Sequence, residues 1–178
     1  MRIISGSHKG RRITAPKKLP VRPTTDRAKE GLFNILHHRI EWETINALDL
    51  FAGTGNISYE LASRGVSKIY AVDQNRFCVD FIRKTSLELE LPIEVIRNDV
   101  NKWIASQFQP FDLIFADPPY DVTLESYQGL IDNLIKNNYL KKEGLLIVEH
   151  NEHFSLKENN YFQFSRTYGS STFSFFEE

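Results

Sequence analysis

The 178-residue chain contains one cysteine and one methionine, and its net charge is only −1. A lone cysteine, Cys78, excludes an intrachain disulfide and agrees with a reducing compartment. A bilayer span needs about 20 consecutive apolar residues, and no apolar run here approaches that. The opening Met1-Arg2-Ile3-Ile4-Ser5 alternates like a strand and lacks the apolar centre of a secretory signal. A cytoplasmic protein is therefore expected. Long linkers and internal repeats are missing too. What remains is ordinary globular composition, 41% apolar and 25% charged, at a length that suits one domain with a substantial core.

The small net charge hides an asymmetry. Residues 1–39 carry ten Lys/Arg against two Asp/Glu, and the remaining residues carry twelve against twenty-one. A basic arm on an acidic body is the footprint of a polyanion-binding extension. The arm also has apolar residues to fold with: Ile3, Ile4, Ile13, Leu19 and Val21. Leu32, Phe33, Leu36 and Ile40 form a helical stripe able to dock it on the body. Lys9, Arg11, Arg12, Lys17, Lys18, Arg22 and Arg27 are the candidate RNA contacts. If about five of these cations meet phosphates, log affinity should fall with log salt at a slope of roughly −3.5 to −4.5.

The most informative segment is Asp117-Pro118-Pro119-Tyr120. It follows the apolar run Phe111 to Ala116, which reads as a buried strand. Two prolines stop a strand and fix a rigid turn at its carboxyl end. A carboxylate, proline carbonyls and an aromatic ring then project where open α/β sheets bind ligands. A planar amine requires that set, with two acceptors for its N–H groups and a π-face for its ring.

A second apolar segment closes on Asp49-Leu50-Phe51-Ala52-Gly53-Thr54-Gly55 and leads into a helical stretch from Asn56 to Arg64. Strand, Gly-rich turn and helix start make a ligand loop with close backbone approach. It is not a dinucleotide fingerprint, since Ser58 stands where the third glycine would be. Asp49 at the start of the turn repels a pyrophosphate and welcomes a cation such as S-adenosylmethionine. Asp73 ends the next strand, Ile69 to Asp73, 18 residues after Gly55. A carboxylate there can accept both ribose hydroxyls. After a third strand, Ile93 to Arg97, Asp99 is placed for an adenine amino group and the Val100 N–H for a ring nitrogen. Asp49, Phe51, Gly53, Gly55, Asp73, Asp99 and Val100 are thus the candidate cofactor residues.

Helical periodicity runs from about Arg76 to Leu89 and again along Leu124, Tyr127, Leu130, Ile131, Leu134 and Ile135. Gly144 to Glu149 reads as a fifth strand. Tyr161 to Tyr168 and Thr172 to Phe176 read as a closing hairpin. Strands alternating with helices imply an α/β fold with a mostly parallel sheet.

With these motifs in place, the chain resembles the RsmD family of 16S rRNA (guanine-N2)-methyltransferases, nearly end to end. Ser5 to Ile13 is similar to the family's opening hairpin, and Arg22-Pro23-Thr24-Thr25-Asp26-Arg27 through Leu36 to its first helix. Ser63-Arg64-Gly65 and Tyr168-Gly169 also match. The Arg-Pro-Thr-Thr-Asp-Arg segment points to this family in particular. Two departures are Asp73, where Glu is common, and Ser86, where Asn is common. The resemblance implies a Rossmann-like seven-stranded methyltransferase sheet with a C-terminal antiparallel hairpin and an N-terminal β-hairpin extension. It implies residues 1–22 as an RNA-contacting arm and 23–178 as the methyltransferase domain, using S-adenosyl-L-methionine. The implied partner is 16S rRNA within an assembled or assembling 30S subunit, with the protein acting as a monomer.

The chemistry then expected is direct methyl transfer, with Asp117, Pro118 and Tyr120 as the catalytic set. Asp117 and the Pro118 carbonyl take the amine N–H bonds, and Tyr120 stacks on an unpaired or flipped base. The turn itself does not separate guanine from adenine. A DNA or RNA adenine-N6 methyltransferase stays open, as does a silent RNA-binding assembly factor. A nicotinamide dehydrogenase is more remote. No metal is expected, because His150 and His153 read as surface turn histidines rather than ligands. His37-His38 suits a helix end, and Cys78 suits core packing rather than a nucleophile's duty.

Overall fold

The computed structural model describes residues 1–16, 19, 24–106, 109–119 and 121–178. Lys17, Lys18, Val21, Arg22, Pro23 and Tyr120 lie outside the described residues. Five helices and seven strands are described. They run α1 (Asp26–His37), a 3-10 turn (Trp42–Thr44), β1 (Asn46–Leu50), α2 (Asn56–Ser63), β2 (Lys68–Asp73), α3 (Arg76–Glu88) and β3 (Ile93–Arg97). The rest are α4 (Val100–Ser106), β4 (Phe111–Ala116), α5 (Leu124–Lys136), β5 (Leu140–Asn151), β6 (Phe162–Tyr168) and β7 (Ser171–Phe176).

The strands form one sheet in the order β3-β2-β1-β4-β5-β7-β6. The first five are parallel, β7 pairs antiparallel to β5, and β6 pairs antiparallel to β7. The chain direction across the sheet reverses between β1 and β4. Ligands bind at that crevice, outside the carboxyl ends of the strands.

Helix starts follow capping chemistry. The Thr25 hydroxyl accepts from the Ala28 N–H ahead of α1, and Asn75 Oδ1 accepts from Phe77 and Cys78 N–H ahead of α3. Ala28, Leu32, Phe33 and Leu36 give α1 an apolar stripe that packs with Ile3, Ile13, Leu113, Phe115 and Phe173 on one sheet face. Helices α4 and α5 cover the other face through Trp103, Ile104, Ile131 and Leu134. Burying both faces explains why the central strands read as continuous apolar runs.

Three details differ from the sequence reading. Helix α4 has no clear signal in the sequence, because the stripe of Val100, Trp103 and Ile104 is only two turns long. Strand β5 extends beyond Gly144–Glu149 at both ends. His150 therefore lies inside it, not on a surface turn. It is buried, with Nε2 2.8 Å from Ser174 Oγ and Nδ1 2.9 Å from the Asn151 carbonyl oxygen. Burial lowers its pKa. His153 is exposed in the turn that follows.

The opening segment reverses direction near Gly6–Gly10, with a single antiparallel bridge between Arg2 and Arg12. It is fastened to α2. Ile4 and Ser5 N–H donate to the two Glu60 carboxylate oxygens at 2.7 and 3.0 Å, and the Ser63 hydroxyl donates to the Ser5 carbonyl at 2.6 Å. Gly6 has φ +84°, and a Cβ there would stand 1.7 Å from the Ser63 carbonyl oxygen. Only glycine allows that approach.

Candidate active site

Two backbone bonds stitch the glycine turn and the diproline corner to the middle of the sheet. Ala52 N–H donates to the Val72 carbonyl at 3.1 Å, and Asp117 N–H donates to the Leu50 carbonyl at 3.2 Å. Both segments line one cavity of about 370 Å³, within the usual size of a small-molecule site. Asp49, Phe51 and Gly53 line it from the first turn, and Asp73, Asp99 and Val100 from the next two strand ends. Asp117, Pro118 and Pro119 close it. Gly55 shapes the turn from behind. Its φ is +78°, and a Cβ there would meet the Tyr59 ring at 2.8 Å. Phe51 also holds a left-handed backbone, φ +58°, a cost of about 1–2 kcal/mol of the kind that collects at functional turns.

Local hydrogen bonds aim each acid. Asp73 Oδ2 accepts from Gly53 N–H at 2.8 Å and Oδ1 from Asn75 N–H at 2.7 Å. Each oxygen keeps a lone pair for a ligand hydroxyl. Asp49 Oδ2 accepts from Ser58 N–H at 3.1 Å and from Ser58 Oγ at 2.5 Å, which ties the β1 end to the first turn of α2. Asp99 Oδ1 accepts from Lys102 N–H at 3.0 Å, so it caps α4 as well as lining the cavity.

Burial pushes Asp49 up to about 7, opposed by the two Ser58 bonds and reinforced by the charge of Asp73. It also raises Asp73, against the donors Asn75 and Gly53. Asp117 is raised well above the usual carboxylate range, first by burial and then by Glu149 and Asp49. Such a cluster favours a cationic ligand over an anionic one. The residues fit S-adenosylmethionine: acids for its cationic end, Asp73 for a ribose, Asp99 and the Val100 backbone for an adenine.

Two residues of the site escape a reading of the sequence. Thr24 lines the cavity, and its hydroxyl donates to Glu149 Oε2 at 2.8 Å. Glu149 lies beside Asp117, because Ala116 pairs with Val148 in the β4–β5 register. In the sequence Thr24 stands out only as part of a family signature, and Glu149 only as the end of a strand.

The candidate RNA contacts Lys9, Arg11, Arg12 and Arg27 are all exposed. None has a side-chain hydrogen bond or ion pair among the described residues. Cys78 is buried in α3, and burial holds its thiol up at about 11. No helix among the described residues is long and apolar enough to cross a membrane.

The family Conserved hypothetical protein 95 matches residues 1–177. Ribosomal RNA small subunit methyltransferase D of Haemophilus influenzae is 34% identical over 154 residues, covering 84% of this chain and 78% of the relative. Its Escherichia coli K12 counterpart is 31% identical over 154 residues, covering 84% and 74%. Among solved structures, a hypothetical protein of Thermus thermophilus superimposes with TM-score 0.86 at 24% identity, over 100% of this chain and 99% of that one. The T. thermophilus 16S rRNA N2 methyltransferase RsmC, solved with AdoMet and guanosine, gives TM-score 0.71 at 23% identity, over 87% and 44%. With its glycine turn, spaced acids and diproline corner gathered in one cavity, and with relatives of this kind along nearly its whole length, the chain belongs to the RsmD family of ribosomal RNA small subunit methyltransferases.

Proposed function

We propose that this protein transfers the methyl group of S-adenosylmethionine to the exocyclic N2 amine of a guanine in small-subunit (16S) ribosomal RNA. The observation that carries the reading is the shared cavity, which Asp73 and the Asp117-Pro118 corner both line. The names of the relatives point to small-subunit rRNA as the substrate class. The arm formed by residues 1–22 contacts RNA, and residues 23–178 form the methyltransferase domain. The protein works as a cytoplasmic monomer on an assembled or assembling 30S subunit.

When bound, the cofactor supplies a methyl group already activated by a sulfonium. The chain's task is to aim a poor nucleophile, since the amine lone pair is delocalised into the base. Asp117 accepts one amine N–H and the Pro118 carbonyl the other, turning the lone pair toward the methyl. A charge-assisted bond of this kind contributes about 1.5–3 kcal/mol. Correct positioning contributes up to about 7–11 kcal/mol, so orientation outweighs base strength. Tyr120 stacks on the base, which must leave its helix to reach the corner.

Replacing Asp117 with Ala should nearly abolish single-turnover methylation of 30S subunits while cofactor affinity stays similar. Near-normal turnover would end the reading. Mass mapping of methylated nucleotides in small-subunit RNA, from cells with and without the protein, separates guanine from adenine.

A further inference from the structure

Glu149 is a charged residue with no obvious reason to be charged. It is 4% exposed, and the β4–β5 register sets it beside Asp117. Thr24 Oγ1 donates to Oε2 at 2.8 Å, and the Ser171 side chain also hydrogen-bonds it. Asp117 stands beside it at the end of β4, with Asp49 of β1 next to Asp117, and both are acids. Among the described residues neither Glu149 nor Asp117 forms an ion pair with a cation. Lys29, a fully buried cation among the described residues, is committed elsewhere. Its Nζ donates to the Arg2 carbonyl at 2.7 Å and to Asn56 Oδ1 at 2.8 Å, and it pairs with Glu60 at 3.4 Å. A glutamine would satisfy the Thr24 and Ser171 hydroxyls equally well, without placing a buried charge beside another carboxylate. Packing alone therefore does not account for the acid.

We infer that Glu149 is a positioning residue of the acceptor site, set beside Asp117 so that the proton leaving the methylated amine enters a pair of acids. The inference rests on the proposed amine methylation. In that step the amine nitrogen forms a bond to the methyl carbon as the carbon–sulfur bond breaks. The bonding pair returns to sulfur, giving a neutral thioether. The nitrogen then carries a positive charge and releases one proton to Asp117, and Glu149 makes Asp117 a better proton acceptor than it would be alone. Glu149 touches neither base nor cofactor. It acts through Asp117 and through Thr24, whose backbone carbonyl accepts from Asn56 Nδ2 at 2.8 Å at the cavity wall.

The test compares wild type, Glu149→Gln and Glu149→Asp, measuring single-turnover methylation of 30S subunits against pH and melting of the ligand-free protein against pH. Removing the neighbouring charge should let Asp117 ionise at lower pH. The acid limb of the Glu149→Gln rate profile should then move down by on the order of one pH unit, with cofactor affinity unchanged. Its melting temperature should also fall less than that of wild type between pH 5 and 8. Glu149→Asp keeps the charge but retreats from Thr24, so its limb should stay near wild type while its rate drops. A limb that Glu149→Gln leaves in place, with a uniform loss at every pH, would overturn the inference. So would equal melting profiles in the two proteins, a readout that does not depend on turnover. Wild type that transfers no methyl to 30S subunits would instead defeat the proposed function, a separate result.

Discussion

Replacing Asp49 with Asn removes one charge from the centre of the site and leaves its shape alone. An asparagine oxygen can still accept from Ser58 N–H and Oγ, now 3.1 and 2.5 Å from Asp49 Oδ2. In the native site burial raises this carboxyl from 3.8 to about 7. Its folded pKa therefore lies above its unfolded one. Between about pH 4 and 7 the folded protein keeps a proton that the unfolded chain has lost. Stability from this group is fully present below pH 4 and is lost as pH rises through 7. The gap of roughly three units corresponds to on the order of 4 kcal/mol. In a chain of this size each kcal/mol moves Tm by about 2–4 °C. Asp49→Asn should match wild type near pH 4 and melt roughly 10 °C higher at pH 8.

Cofactor binding should show the opposite cost. The cationic end of S-adenosylmethionine selects the ionised carboxylate, which makes up about half of the population at pH 7 and roughly a tenth at pH 6. Wild-type affinity should thus weaken about tenfold from pH 8 to pH 6, while the variant binds weakly at every pH. Thermal melting and titration calorimetry across pH 5–8 read both effects. A variant no more stable than wild type at pH 8, or a native affinity flat across that range, would refute the electrostatic account of this acid.

Two further predictions concern the arm. Gly6→Ala should lift the opening segment off α2, because the added Cβ would stand 1.7 Å from the Ser63 carbonyl oxygen. RNA affinity should fall, while cofactor affinity measured by calorimetry stays within about twofold, a shift of under half a kcal/mol. Unchanged RNA binding would mean that the docked position of the arm is unimportant. The double variant Arg11→Ala/Arg12→Ala should make the slope of log affinity against log salt shallower by roughly 1.4–1.8. A parallel line of lower affinity would show that these side chains do not meet phosphate.

What the sequence determined by itself is local. The ends of β2, β3 and β4, the Pro118-Pro119 stop, the glycine turn and the caps at Thr25 and Asn75 are written in neighbouring residues, because turn chemistry and periodicity act over a few positions. The acids Asp49, Asp73, Asp99 and Asp117 could be placed in advance because each lies within a few residues of the carboxyl end of an apolar segment. Tertiary structure alone decided which of these ends meet. Thr24 reaches Glu149 across 125 residues, and Lys29 and Glu60 are buried as a pair beneath the arm. No local pattern encodes such contacts, and a buried Glu at a strand end looks like any solvated one. Sheet order and register bring β4 and β5 side by side, and that neighbourhood turns Glu149 from a strand residue into part of the site.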